Sequence, residues 1–409
     1  MAVNTRCGGL DYFKLIAALL VVAIHTSPLA TLNADADFIL TRVIARVAVP
    51  FFLMVSGYFI LPRYLFRHDN DKAPLLNFFK KTAALYALAS LIYLPVSIYA
   101  GYFDQLTPIK LLQIIFFTGD FYHLWYLPGV IIGMGLVYLL SRRLSFSWIA
   151  AISLILYLIG ILGDSYFGLV EQVPWLAAGY QGALELFGYT RNGLFFYVPL
   201  FLVMGAWLQQ RPNKLSRQSV IIGLLISLTL LIAEGLLLRS LGLPRHDSMY
   251  LSLIPCCFFL YQLLLSWEIE PAPRLRKLAM WIYLLHPLVI IAIRGLGEAI
   301  SMTQLLVDNS IVHYLLVCLG AIILSVIVTT IPRPKRKDSF PRERAWIEID
   351  LAHLRHNVAV LRSLLPDSCQ LMPAVKADAY GLGAIPITQA LAADDIHCFC
   401  VASLSEALE

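Results

Sequence analysis

Six ionisable side chains lie in or beside strongly apolar stretches of the first 331 residues. Such groups are costly inside a membrane, and those that occur there usually mark a path for a substrate or a proton. Lys14 and His25 are eleven residues apart, so on a helix they lie within about 20° of one face and roughly 16 Å apart along its axis. We predict a polar path through the membrane, lined by Asp11, Lys14, His25, Arg46, His123 and His286.

Each of these residues also has a purely structural explanation. Lys14 and Arg46 could extend their charged ends to the membrane surface. A single histidine inside the membrane could hydrogen-bond to a neighbouring helix and do nothing more. The cluster supports a path better than any one member does.

A second candidate for chemistry is Lys376, which follows the short apolar run Leu371–Val375. The run predicts a buried strand, and the C-terminal ends of parallel barrel strands form the catalytic face. A lysine amine at that position can bond to a carbonyl cofactor and can move a proton. A single lysine at such a position does not by itself indicate a function, so the surrounding motifs are needed to assign one.

The composition indicates which elements hold these groups. Apolar residues make up 59% of the chain, charged residues 14%, and the mean hydropathy is +0.75, which is typical of a membrane protein. A helix that crosses the bilayer core needs about 20 mostly apolar residues. The apolar run 107–118 is shorter, which predicts an interfacial or re-entrant segment, with an eleventh span as the alternative. We predict ten spans, at residues 10–30, 43–61, 81–101, 124–140, 147–163, 194–210, 219–240, 249–266, 278–296 and 311–331.

The distribution of charge predicts the orientation, because basic residues in short loops favour the cytoplasmic side. Lysines and arginines follow spans two, four, six and ten and precede span nine, whereas the alternate loops hold acidic residues. We predict a multi-pass protein of a bacterial plasma membrane with both termini in the cytoplasm. The same pattern accounts for the net charge of +5, so no nucleic-acid partner is expected. A signal peptide at 10–27 is the alternative, although no small-residue cleavage site follows.

The seven cysteines indicate neither a disulfide framework nor a metal centre. A structural zinc site takes four ligands, and Cys398 and Cys400 have no second pair at a suitable spacing. Free thiols and no bound metal are predicted.

The pattern changes after residue 331. Residues 332–344 combine prolines with basic residues, which predicts a linker at the anionic inner leaflet. In 345–409 we predict strands at 346–350, 371–375 and 397–402 and helices at 351–364 and 384–393. Alternating strands and helices are typical of parallel βα units.

Three motifs of this tail resemble the start of alanine racemases: Trp346–Leu351, Ala374–Gly381 and Phe399–Leu408. The resemblance implies the beginning of a (β/α)8 barrel, with Lys376 covalently holding pyridoxal 5'-phosphate and Tyr380 near its phosphate. Leu382 stands where the family usually has histidine, which changes the local hydrogen bonding but not the lysine.

The family also predicts what the tail lacks. Such a barrel takes about 250 residues, and the family's second base, a tyrosine, comes from a later domain across a homodimer interface. We therefore expect the 409-residue chain to be incomplete and inactive as a racemase by itself.

The first 331 residues resemble integral-membrane acyltransferases of the acyltransferase-3 family, through the motifs Leu10–His25, Val49–Gly57, His123–Leu127 and Tyr283–Pro287. Lys14 and His25 match the family's pattern of a basic residue and a histidine, in which the histidine acts in acyl transfer across the membrane.

Together the two parts resemble the membrane-bound serine racemases of vancomycin resistance. This resemblance implies interconversion of L-Ser and D-Ser, and of L-Ala and D-Ala, for peptidoglycan precursors that end in D-Ser. The cluster of ionisable residues in the membrane domain, beside an enzyme tethered just inside, leads to the hypothesis that this domain supplies L-Ser. Two alternatives are a membrane acyltransferase that modifies a cell-envelope glycan and a membrane domain that serves only as anchor and sensor.

Overall fold

The computed structural model describes residues 8–104, 106–192, 195–210, 215–267, 269–330 and 347–408. Contacts divide the chain into two compact units, Met1–Ile331 and Pro332–Glu409, which are described separately below. The predicted linker at 332–344 and Trp346 lie outside the described residues.

The first unit is built from apolar helices, and each of the ten predicted spans overlaps one of them. Among the described residues, six helices are long and apolar enough to cross a membrane: α1 (Gly8–Thr26), α2 (Ala34–Ile60), α3 (Ala73–Tyr99), α9 (Arg217–Ser240), α11 (Pro273–Ala299) and α12 (Ser310–Thr330). The shorter apolar helices are α4 (Pro108–Thr118), α5 (Tyr126–Ser141), α6 (Phe146–Leu162), α8 (Val198–Gln210) and α10 (Leu253–Leu265). That all ten predicted spans cross the membrane therefore stays a prediction.

One helix of this unit was not predicted. Pro174–Phe187, here α7, has an apolar and a polar side and begins with proline at its first position, where a missing N–H costs nothing. Its apolar residues do not form a continuous run, so a search for long apolar segments passes over it.

Helix α2 is irregular in its first half and begins earlier than the predicted residue 43. A π-helical turn covers Phe38–Val43 and a 3-10 turn covers Ile44–Val47, before regular α-helix resumes at Ala48. Val43 joins the two turns with φ −121° and ψ −70°. Such turns are often found at functional sites, and this one carries Arg42 and Arg46.

Glycines let α2 and α8 approach until their backbones touch. A Cβ atom on Gly57 would lie 2.0 Å from the carbonyl oxygen of Leu202, and one on Gly205 would lie 2.1 Å from that of Met54. Small residues at a crossing are the usual means of close helix packing in membranes. This contact fixes the second half of α2 in the core of the unit.

The second unit contains two of the predicted elements, α13 (Leu351–Ser363) and α14 (Ala384–Ala392). The three strands were predicted wrongly, because no strand is present among the described residues of this unit. Ala374 and Cys400 form a single parallel bridge, in which the Val375 N–H donates to Cys400 O at 2.9 Å. A parallel pair is slightly less stable per residue than an antiparallel pair and normally needs cover on both faces, whereas Ile347–Asp350 is exposed along its whole length.

Candidate functional site

A small internal cavity of about 50 Å³ lies in the first unit, between α1, α2 and the loops that precede α5, α8 and α10. Three of the six predicted path residues line it, His25, Arg46 and His123. A cavity of this size has room for a few water molecules. The remaining lining includes the aromatic residues Tyr122, Trp125, Tyr126, Tyr197 and Tyr283, together with Arg191 and Ser248.

Three histidine rings form one cluster at the side of this cavity. The rings of His25 and His286 stack with centroids 5.3 Å apart, and the rings of His286 and His123 lie edge to face at 5.5 Å. The Tyr122 ring covers His25 at 4.7 Å. Among the described residues, neither ring nitrogen of His123 has a hydrogen-bond partner, so His123 and His286 could exchange a proton only through a bridging water molecule.

The sequence around His286 fixes its tautomer. Pro287 lies inside α11 and has no N–H, which leaves the carbonyl of Tyr283 without its helical donor. The Nδ1–H of His286 supplies that hydrogen bond at 2.8 Å and also reaches Ile282 O at 3.1 Å. Nε2 is therefore the unprotonated nitrogen, and this buried atom has no partner among the described residues.

The cavity also contains two guanidinium groups. Arg46 is only 7% exposed, and its Nε and Nη2 have no hydrogen-bond acceptor in the described parts of the chain. Arg191 lies over the rings of Trp125 and Tyr189, at 5.2 Å and 4.9 Å from their centroids. Arg191 was missed in the sequence, although an arginine in a loop predicted to be external runs against the charge distribution and could have indicated it.

Two carboxylates, the buried Asp164 and the half-buried Glu234, hold the loop that brings Ser248 to the cavity. Asp164 accepts hydrogen bonds from Ser248 N at 2.8 Å, Ser248 Oγ at 2.5 Å, Met249 N at 3.0 Å and Ser165 Oγ at 3.1 Å. Burial raises the pKa of Asp164, but hydrogen bonds from His246 and Ser248 outweigh that effect and hold it below its ordinary value. Asp164 therefore remains a carboxylate that positions this loop.

Glu234 does the same for the end of the loop. Its carboxylate accepts from Leu251 N and Ser252 N, both at 2.7 Å, and from the Tyr166 hydroxyl at 2.7 Å. The sequence did not single out either carboxylate as a site residue, because their partners come from distant parts of the chain.

The other two predicted path residues lie elsewhere. Asp11 accepts from Lys14 Nζ at 3.0 Å and from Arg276 Nε and Nη2 at 3.0 and 2.9 Å, and neither Asp11 nor Lys14 lines the cavity. This ion-pair network, in which Asp11 and Lys14 are buried and Arg276 is exposed, joins α1 to the start of α11. The structure thus groups His25, Arg46, His123 and His286 and separates Asp11 and Lys14 from them.

In the second unit, Lys376 begins a turn with unusual backbone geometry. Ala377 to Tyr380 all have φ between 50° and 60°, the left-handed region that costs an L-residue roughly 1–2 kcal/mol. The turn places Lys376 Nζ 5.8 Å from the centre of the Tyr380 ring, and both side chains are exposed. Strained backbone of this kind is concentrated at functional sites.

Glu406, which comes later in the chain, stabilises that turn. Its carboxylate accepts from Ala377 N at 2.9 Å and from Ala402 N at 2.8 Å. These backbone hydrogen bonds, from Ala377 first and then Ala402, hold the pKa of Glu406 below its ordinary value. The motif Phe399–Leu408 therefore supports the turn of Lys376.

Within the described residues, no group of three or more histidine, cysteine, aspartate or glutamate side chains is arranged to hold a metal ion.

Comparison with known proteins assigns both units. The acyltransferase domain family matches residues 8–330, which is most of the chain. The chain belongs to the acyltransferase-3 family. A second match, to the N-terminal domain of alanine racemases, covers residues 349–409 of this acyltransferase-3 protein.

Relatives combine the same two parts. An amino-acid racemase of Enterococcus faecalis is 38% identical over 100% of this chain, and a serine/alanine racemase of Enterococcus gallinarum is 36% identical over 98% of it. The alanine racemase of a Nostoc strain is 45% identical over 67 residues, which are 16% of this chain and 17% of the relative. The chain spans 57% of the length of each Enterococcus protein. No solved structure matches it.

Proposed function

We propose that this acyltransferase-3 protein is a membrane-bound, pyridoxal phosphate-dependent racemase that interconverts L-Ser and D-Ser, and L-Ala and D-Ala. The observation that carries the proposal is the strained turn in which Lys376 and Tyr380 share one exposed side. The names of the Enterococcus relatives and the alanine-racemase match at 349–409 support it.

The residues of the turn fit the cofactor. Lys376 offers an exposed primary amine for the aldehyde of pyridoxal phosphate, and the Tyr380 hydroxyl lies on the same side, where it can donate to a phosphate oxygen. The donor set is therefore a nucleophilic amine with an adjacent phenol. When bound, pyridoxal phosphate supplies an electron sink that makes the α-proton of an amino acid acidic.

The chain's own residues would act on that proton. The Lys376 amine takes it from, or returns it to, one face of the substrate. Glu406 holds the N–H of Ala377, which fixes the direction in which Lys376 leaves the backbone. A base for the opposite face would come from the part of the protein that the Enterococcus relatives have in addition, across a homodimer interface.

The cellular role follows from the product. D-Ser made on the cytoplasmic side would enter peptidoglycan precursors that end in D-Ser, which is the role of the vancomycin-resistance racemases that the chain resembles. This role requires that the second unit be cytoplasmic. Ten crossings with both termini in the cytoplasm, which the charge distribution between the helices favours, would place it there.

For the membrane unit we propose delivery of L-Ser to the racemase. The specific support is the small cavity at which Arg46, His25 and His123 meet, because these side chains offer a small polar molecule a charge and hydrogen-bonding groups inside the membrane unit. Acyl transfer to an envelope glycan is the second candidate, favoured by the family and by the position of His25 at the cavity wall. An anchoring role alone leaves the cavity without a purpose.

The racemase proposal is tested by enantiomer-resolved chromatography of L-Ser and L-Ala incubated, with pyridoxal phosphate, with membranes that contain the full-length gene product. Lys376→Ala should abolish D-Ser formation, and borohydride reduction should attach pyridoxal phosphate to Lys376 in the wild type only. Arg355→Gln is the control, since Arg355 is exposed and its ion pair is with Asp394 at the surface of this unit. Full activity in Lys376→Ala would overturn the proposal.

The two proposals for the membrane unit are separated by two further measurements. Faster uptake of L-Ser by vesicles that contain the protein than by empty vesicles supports delivery. Loss of envelope acylation in His25→Ala, with no difference in uptake, supports acyl transfer.

A further inference from the structure

Arg46 is a buried cation that lines the cavity. It is 7% exposed, and its Nε and Nη2 have no acceptor in the part of the chain that the structure describes. The nearby buried carboxylate, Asp164, uses its oxygens for Ser248, Met249 and Ser165. Buried N–H groups without acceptors are unfavourable, so these two groups are suited to an anion that comes from outside the chain.

A second guanidinium strengthens this argument. Arg191 lines the same cavity, and its buried Nε also has no acceptor among the described residues. Trp125 and Tyr189 hold its plane in place from 5.2 Å and 4.9 Å. Planar guanidinium groups with free N–H groups match the two oxygens of a carboxylate.

The rest of the lining restricts the ligand. About 50 Å³ leaves no room for a long acyl chain or a nucleotide. The rings of Tyr122, Tyr126 and Tyr283 line the same cavity, and aromatic faces attract an ammonium group. Guanidinium groups together with aromatic faces suit a small zwitterion.

The irregular part of α2 lines both this cavity and a more open space beside it. Arg42 and Arg46 are one turn apart on that helix; Arg42 lines an open vestibule of about 410 Å³, and Arg46 lines the cavity. In the loop that precedes α10, two consecutive residues are divided in the same way: Asp247 lines the vestibule, and Ser248 lines the cavity. Broken membrane helices are typical of substrate sites in transporters.

We propose that Arg46 and Arg191 bind the carboxylate of a small α-amino acid, which reaches them from the vestibule at Arg42 and Asp247. This inference rests on the proposed delivery of L-Ser, for which it names the recognition residues. Arg46 provides the main charge, and Arg191, held by its aromatic neighbours, sets the orientation of the carboxylate.

The test is equilibrium binding of radiolabelled L-Ser to the full chain in lipid nanodiscs. Arg46→Gln should weaken binding by at least about tenfold, the loss expected when one partner of a buried charge pair is removed. Arg46→Lys keeps the positive charge but not the planar guanidinium group. Its affinity for L-Ser should lie between those of the wild type and Arg46→Gln. Arg143→Gln is the matched control, because Arg143 is exposed at the end of α5, and its affinity should equal that of the wild type.

Competitors identify the group that is recognised. L-Serinamide keeps the ammonium and lacks the carboxylate, so it should not displace L-Ser, and acetate, which lacks the ammonium, should displace it only weakly. Equal competition by serinamide would overturn carboxylate recognition. Equal competition by acetate would overturn the assignment of an amino acid.

Stability separates recognition from a structural role. Without ligand, Arg46→Gln should unfold at the same or a higher temperature than the wild type, since it removes buried N–H groups without acceptors. A clear decrease would show that Arg46 holds the fold and would overturn the proposal. If L-Ser binds to the protein but is not taken up by vesicles, the binding site is supported and delivery is overturned. If vesicles take up L-Ser and Arg46→Gln does not change the rate, delivery is supported and this binding site is overturned.

Discussion

Asp164 offers the most direct test of how the cavity is held together. The substitution Asp164→Asn keeps the shape of the side chain and removes its charge. Three hydrogen bonds end on Oδ1, from Ser248 N, Met249 N and Ser165 Oγ, and the Ser248 hydroxyl donates to Oδ2. The amide replaces Oδ2 with a donor that faces this hydroxyl.

The expected loss follows from these contacts. A hydrogen bond to a charged group contributes about 1.5–3 kcal/mol and one to a neutral group about 0.5–1.5 kcal/mol, so each of the three bonds to Oδ1 loses about 1 kcal/mol. Asp164→Asn should therefore destabilise the membrane unit by about 3 kcal/mol. For a domain of this size, that corresponds to a decrease in Tm of about 4 °C.

Thermal unfolding of the detergent-solubilised chain measures this decrease, and limited trypsin digestion after the exposed Arg245 reports on release of the loop. Asp308→Asn is the control, because Asp308 is exposed and such surface changes usually stay within about 0.5 kcal/mol. If Asp164→Asn and Asp308→Asn shift Tm equally, and the site after Arg245 stays protected, Asp164 does not hold the loop.

Two further predictions concern the second unit and the helix crossing. Because the pKa of Glu406 is lowered from its ordinary 4.5, its stabilisation of the turn is fully present above pH 4.5 and is lost as the pH falls through the lowered value. Hydrogen-exchange mass spectrometry, corrected for intrinsic rates, should show the Ala377 amide losing protection below about pH 4.5 in the wild type, whereas Glu406→Gln should show little dependence on pH. Gly57→Val should lower Tm strongly, because even a Cβ would lie 2.0 Å from Leu202 O. Gly179→Val, where nothing lies within 4 Å of that Cβ position, should shift Tm far less, and equal shifts would contradict the close-packing argument.

Much of the fold could be predicted, since a long apolar run needs a helix wherever it lies. The shorter elements were harder. The helix Pro174–Phe187 has no continuous apolar run, and the parallel strands depend on partners distant in sequence. Only Ala374 and Cys400 pair in this way among the described residues of the second unit.

Only those features of the candidate site that depend on a single helix could be predicted from the sequence. The spacing of Lys14 and His25 correctly describes a helix, but a helix face does not determine which neighbour a charged group meets. Lys14 meets Asp11 at 3.0 Å, and His25 meets His286 at 5.3 Å between ring centroids. Arg191 comes from a loop, and no period in the sequence relates it to Arg46.

The cavity lies where the helices depart from regular geometry, and this follows from the membrane itself. Inside a bilayer each backbone polar group must find a partner within the protein, so irregular backbone persists only beside side chains or a cavity that can satisfy it. Because Pro287 has no N–H, the Tyr283 carbonyl lacks its helical donor, and the His286 ring donates a hydrogen bond to it instead. The π and 3-10 turns of α2 carry Arg46 to the same cavity. Pro287 and Arg46 therefore indicate this site from the sequence, because each forces an exception that the neighbouring side chains must resolve.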